Sequence, residues 1–67
     1  MTGILRVGDR LTITGTALGT VEGEVVEVVA KWNGYKVRWQ IDGQVDFIHQ
    51  SDVDADLRAG RLSVVRP

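Results

Sequence analysis

The chain has 67 residues, a net charge of −1 and no cysteine. That length allows one domain, and the missing cysteines exclude disulfides and thiolate metal sites. Mixed charges argue against binding driven by an excess of cations, and no apolar run nears the ~20 residues of a membrane span.

A chain this short buries only ~60% of the surface its unfolded form exposes. It lies below the ~70–80 residues at which one core is comfortably sufficient. Stability must come from packing or from self-association, so a homo-oligomer is one route open to it. The start, MTGILRVGD, lacks a basic region followed by a long apolar one. No signal peptide is expected, and the default location is cytoplasmic.

Residues 1–5 read as an arm or an edge strand. Val7-Gly8-Asp9-Arg10 reads as a turn entering a strand, where Leu11 and Ile13 alternate with Thr12 and Thr14. Residues 15–20 are small and polar, like a long first loop. The organising stretch follows at residues 24–47, EVVEVVAKWNGYKVRWQIDGQVDF. It contains three strand-like runs joined by Asn33-Gly34 and Asp42-Gly43.

Asn-Gly between such runs is the strongest short hairpin signal. A two-residue turn there sets Trp32 opposite Tyr35, Ala30 opposite Val37, Val28 opposite Trp39 and Val26 opposite Ile41. All eight then share one side. Lys31, Lys36, Arg38, Glu27 and Gln40 take the other, with Val25 and Val29 as apolar exceptions. A strand apolar on both sides fits one that bends between the halves of a barrel, with Gly23 as the bend point. At the second turn, a three-residue loop of Ile41, Asp42 and left-handed Gly43 sets Val45 opposite Trp39 and Phe47 opposite Val37. A two-residue loop would turn the carboxylate of Asp46 to the apolar face, which is costly.

His49-Gln50-Ser51-Asp52 reads as a tight turn. Ser51 or Asp52 can cap one or two helical turns over residues 53–59, and Gly60 suits their end. Leu62, Val64 and Val65 form a closing strand. The order is strand, loop, long strand, two hairpins, short helical turn, strand. It predicts an all-β fold, a single five-stranded SH3-like barrel spanning residues 1–67.

No motif commits the chain to a chemistry. Asp52, Asp54 and Asp56 alternate, but an EF-hand loop counted from Asp52 needs Gly and Glu where Leu57 and Ser63 stand. Carboxylates at a helix start are favoured by its dipole in any case. His49 is the only histidine. Without a serine elbow it has no nucleophile to activate, and one imidazole does not make a zinc site. The glycines fit neither phosphate-binding pattern.

Lys31-Trp32-Asn33-Gly34-Tyr35-Lys36-x-Arg38 is the most suggestive cluster. Aromatic rings beside cations suit single-stranded nucleic acid, a peptide groove or a cage for a cation. A cross-strand aromatic pair also stabilises a hairpin by itself, which is its commoner role.

Two resemblances follow from the residues. Val7-Gly8-Asp9-Arg10-Leu11, Gly23-Glu24-Val25-Val26-Glu27-Val28 and Tyr35-x-Val37-Arg38-Trp39, followed by Asp42-Gly43, resemble a group of short actinobacterial SH3-like proteins of unknown function. The likeness covers most of residues 7–53 and implies a fold without an activity. Gly8-Asp9-Arg10, Gly23-Glu24-Val25-Val26, Tyr35-x-Val37 and Gly43-x-Val45 are also similar to type II plasmid-borne dihydrofolate reductase, a tetramer of SH3-like chains. Where that enzyme's pore has Val-Gln-Ile-Tyr, this chain has Val45-Asp46-Phe47-Ile48, and Leu11-Thr12-Ile13-Thr14 replaces a lysine-rich strand start. Both departures fall on ligand-binding positions, so the activity is not expected to carry over.

The expectation is a non-catalytic binding module without metal or cofactor, directed at a protein partner and not at a membrane. Its candidate surface is Trp32, Tyr35, Trp39, Phe47 and Ile48. The alternatives are nucleic-acid binding through Lys31, Lys36 and Arg38, and an oligomeric enzyme of the type II dihydrofolate reductase kind.

Overall fold

The computed structural model describes residues 5–67, and its longest strand turns the corner expected of the valine run. Among these residues the order is β1 (Arg10–Thr16), β2 (Gly19–Val29), a 3-10 turn (Ala30–Trp32), β3 (Gly34–Trp39), β4 (Val45–His49), α1 (Gln50–Arg58) and β5 (Leu62–Val65). The five strands form one antiparallel sheet in the order β4-β3-β2-β1-β5. It is the SH3-like arrangement, with the helix before the last strand and the two edge strands, β4 and β5, not paired to each other. The first half of β2 pairs with β1 and the second half with β3. Gly23 faces both Leu11 and Trp39, and a bulge at Val26 adds local twist just beyond it. One eleven-residue strand therefore serves both halves of the barrel.

The core is formed by Leu5, Leu11, Val25, Tyr35, Val37, Val53 and Leu62. Leu5 belongs to it and is not part of a loose arm. The rest of the expectation for residues 1–5 falls on residues 1–4, outside the described ones. Residues 15–20 are not a long loop. β1 and β2 form a hairpin around Ala17-Leu18, where the Thr16 hydroxyl donates to the Gly19 carbonyl at 2.6 Å and accepts from the Leu18 N–H at 3.2 Å.

Both meander registers differ from those expected. The link between β2 and β3 is not a two-residue turn. Val29 pairs with Gly34, and the four residues between them make a 3-10 turn ending in left-handed Asn33. Tyr35 pairs with Val28 and Val37 with Val25, so Trp32 meets no strand partner. On β3 the expected alternation holds: Tyr35, Val37 and Trp39 pack on the core, and Lys36 and Arg38 face out. On β2 it holds from Glu27 to Val29, where Glu27 is opposite Lys36 and Val28 opposite Tyr35, and the bulge at Val26 reverses it before that point, which puts Val25 inside opposite Val37. The link between β3 and β4 has five residues, 40–44. The Trp39 N–H donates to the Gln44 carbonyl at 2.8 Å, the Gly43 N–H to the Trp39 carbonyl at 2.8 Å, and Gly43 is left-handed. Val45 therefore opposes Arg38, Asp46 opposes Val37 and Phe47 opposes Lys36. Asp46 takes the side thought too costly for a carboxylate. The cost is avoided because β4 is an edge strand and Asp46 stays exposed.

Helix α1 begins three residues earlier than expected, with His49 at its N-cap and no side-chain cap from Ser51 or Asp52. The Asn33 carbonyl instead accepts the Gln50 N–H at 2.8 Å, so the 3-10 turn satisfies the first helical donor. At the other end the Arg61 N–H donates to the Asp56 carbonyl at 2.9 Å and the left-handed Gly60 N–H to the Leu57 carbonyl at 3.2 Å. That pair of bonds is a Schellman motif, with Gly60 just past the cap.

A buried polar chain fixes the helix to the sheet. The Tyr35 hydroxyl donates to Gln50 Oε1, and Gln50 Nε2 donates to Asp54 Oδ1 at 3.0 Å. Tyr35→Phe leaves the buried Gln50 oxygen without a donor and is expected to cost about 1–2 kcal/mol. Urea unfolding, combined with Gln50→Ala in a double-mutant cycle, measures it. A Tyr35→Phe midpoint equal to that of the parent would show that the hydroxyl contributes nothing.

Candidate functional site

The five aromatic and aliphatic residues expected on one surface fall in three places. Tyr35 is 2% exposed and engaged with Gln50, and Ile48 packs against the core beside it. Tyr35 therefore has no surface to offer a partner, and Ile48 is only half-buried. Trp32 and Phe47 lie on the outer face, edge to face at a centroid distance of 6.1 Å, and Phe47 meets His49 the same way at 4.8 Å. Trp39 sits apart from both, at the far end of β3.

The outer aromatic group has a structural task. Gly34 lies beneath it, in the row of β2, β3 and β4 residues formed by Val29, Gly34 and His49. A Cβ on Gly34 would lie 2.3 Å from the Phe47 ring and 2.4 Å from the Ile48 carbonyl oxygen. The ring therefore rests on bare backbone. Val29 is buried yet outside the main core cluster, on the face that alternation gives to Gly34 and Phe47. The lone imidazole is thus part of a small second packing cluster.

The cations of the β2–β3 region alternate with carboxylates. Lys36 Nζ stands 3.6 Å from Glu27 Oε1, Arg38 pairs across the strands with Glu24, and Lys31 Nζ lies 5.5 Å from the Trp32 ring centroid. Glu24 is flanked on its other side by Arg10. A shallow hollow of about 330 Å³ on this face is lined by Arg10, Arg38, Glu22 and Glu24, so its charges offset one another. Two of the three carboxylates of α1 also have structural partners: Asp54 accepts from Gln50, and Asp56 accepts from the Arg61 guanidinium at 2.8 Å.

Two of the most exposed apolar side chains, Leu18 and Ile41, meet at one end of the barrel. There the tip of the β1–β2 hairpin faces the β3–β4 loop across a cleft of about 320 Å³. Leu18 and Ile41 project from the two loops at 69% and 63% exposure. Val21 and Trp39 line the cleft between them, and Asp42 and Asp46 complete the lining. The position of Trp39 follows from Gly23. A Cβ there would come within 2.8 Å of the Trp39 ring and 2.6 Å of Val37. Without it the ring lies close against β2, half-buried. Asp42 Oδ1 accepts the Gln44 N–H at 2.9 Å and so stiffens the loop that carries Ile41.

Of the expected surface, only Trp39 is in this cleft. Leu18, Val21 and Ile41 were missed. The signal for them was present: Leu18 and Ile41 are large aliphatic residues in turn positions, where small or polar residues are usual.

No helix among the described residues is long and apolar enough to cross a membrane. No family model, curated protein or solved structure matches the chain.

Proposed function

We propose that this chain is a small, non-catalytic binding module that receives a segment of a partner protein in the cleft around Trp39. The carrying observation is the convergence of Leu18 and Ile41, two exposed aliphatic residues from separate loops, on a half-buried tryptophan. Scattered single apolar side chains on a surface need no explanation, but a concave group of them with a few polar atoms does. Each aliphatic residue gains roughly 1.5–3 kcal/mol when fully removed from water, so two suffice for a weak but specific contact. The sole imidazole is engaged with Phe47, which leaves the cleft without a general base of that kind.

The test uses Trp32→Phe protein, in which Trp39 is the only tryptophan and its emission reports on the cleft. A displayed library of short random peptides supplies ligands. Leu18→Ser with Ile41→Ser is expected to weaken the selected peptides at least tenfold, given roughly 1.5–3 kcal/mol per buried side chain. Both positions are exposed, so unfolding should move by no more than about 1 kcal/mol in total. Peptides that bind the double variant as tightly as the parent would place the contact elsewhere.

A further inference from the structure

We infer that the cleft takes a basic peptide segment, one in which a lysine or arginine adjoins a branched or aromatic side chain. The inference rests on the binding role proposed above and adds the chemistry of the occupant. Among the eight residues that line the cleft, the only charged ones are Asp42 and Asp46. Neither has an ion-pair partner among the described residues. Asp42 receives one backbone N–H, and that bond uses one of its two oxygens. Three carboxylates elsewhere on the molecule have ion-pair partners, Glu27 with Lys36, Asp56 with Arg61 and Asp9 with Arg66, whereas the cleft brings two together with no cation among its lining residues.

The placement of these carboxylates matters as much as their charge. Asp46 is on the side of β4 that faces the core, opposite Val37, yet it remains exposed because it opens into the cleft. Asp42 is in the loop that also carries Ile41. A cation that enters between them meets two carboxylates and the tryptophan ring that lines the same space. Ammonium and guanidinium groups are attracted to both. The stem of a lysine or arginine is itself apolar and can lie along Leu18 and Val21 while its head reaches the carboxylates. An acidic segment would place like charges together in a partly desolvated space. A neutral apolar segment would leave both carboxylates facing hydrocarbon.

The experiment is the same displayed library, selected in parallel on the parent protein and on Asp42→Asn with Asp46→Asn. On the parent, lysine and arginine should be enriched next to leucine, isoleucine or aromatic residues. The selected peptides should bind the double Asn variant several-fold more weakly, about threefold for each carboxylate. The difference should shrink at about 0.3 M salt, where exposed charges are screened. Parent-selected peptides that are apolar but neutral or acidic would overturn this inference and leave the binding role standing. Selected basic peptides indifferent to Leu18→Ser with Ile41→Ser would overturn both. A concentration-dependent dimer abolished by that variant would make a second copy the occupant, which also overturns it.

Discussion

Gly34→Ala is expected to lower the thermal midpoint by roughly 12–24 °C, the largest effect of any single methyl added to this chain. The added methyl costs about 3 kcal/mol, at the upper end of ordinary overpacking, and each kcal/mol lowers the midpoint of a domain of this size by about 4–8 °C. The upper end is appropriate because one of the two clashing atoms is fixed backbone. The added carbon would lie 2.4 Å from the Ile48 carbonyl oxygen as well as 2.3 Å from the Phe47 ring. Moving the ring would relieve only one clash and would disturb its contacts with Trp32 and His49. Gly43→Ala is the matched control. Its backbone is left-handed with φ 70°, and a Cβ there meets nothing within 4 Å. It should cost only the left-handed penalty, about 1 kcal/mol. Calorimetry on the two variants separates lack of space from backbone conformation. Equal losses would mean that Phe47 moves freely and does not hold the sheet.

That contrast also explains why the Asn33-Gly34 signal misled. In an isolated hairpin the pair marks a two-residue turn, because both residues accept positive φ. Here only Asn33 does so. Gly34 is already in β3, and its lack of a side chain makes room for an aromatic ring from the next strand. Sequence does not separate these two reasons for a glycine. The ring that occupies the space is thirteen residues away and belongs to a strand whose register was itself in question. The alternation of Tyr35, Val37 and Trp39 against Lys36 and Arg38 was legible because it is local to β3. Pairing between strands was not, since each loop is longer than its turn residues imply and β2 carries a bulge. The strand order and the place of the helix survive such errors, because they depend on the sequence of elements and not on register.

The candidate site was less legible than the fold for a related reason. The expected surface includes Trp39, but joins it to Trp32 through a Trp32–Tyr35 pairing that the longer turn removes. Tyr35 is instead buried, because Gln50 offers its hydroxyl a partner inside the structure. The partners of Trp39 come from the β1–β2 hairpin, more than seventeen residues upstream, and no local pattern joins them. What the sequence did offer was the oddity of Leu18 and Ile41 in turns. A large aliphatic residue at a loop tip is not needed for the turn, and two such tips meeting at one cleft make a surface.

Asp9→Ala should give the second largest loss, about 2–3 kcal/mol in urea unfolding, from one side chain outside every strand. Asp9 is 1% exposed. Its Oδ2 accepts the Arg6 N–H at 2.8 Å and stands 3.4 Å from Arg66 Nε. Its own N–H donates to the Arg6 carbonyl at 3.0 Å, and its carbonyl accepts the Val25 N–H at 2.9 Å. The residue therefore closes the turn into β1, holds that turn to β2 and draws in the end of the chain. Alanine leaves the backbone bonds in place but orphans the Arg6 N–H and takes the carboxylate from Arg66. An unmet donor costs about 1–3 kcal/mol. The Arg66 contribution is smaller, because that side chain is about half exposed and water can replace the carboxylate. Asp9→Asn distinguishes the two terms, since an amide oxygen can still accept from Arg6 but carries no charge. If closure of the turn dominates, Asn should recover more than half of what Ala loses. An Asn variant as unstable as the Ala variant would transfer the effect to the ion pair. The Val7-Gly8-Asp9-Arg10 segment would then hold its place by charge and not by hydrogen bonding.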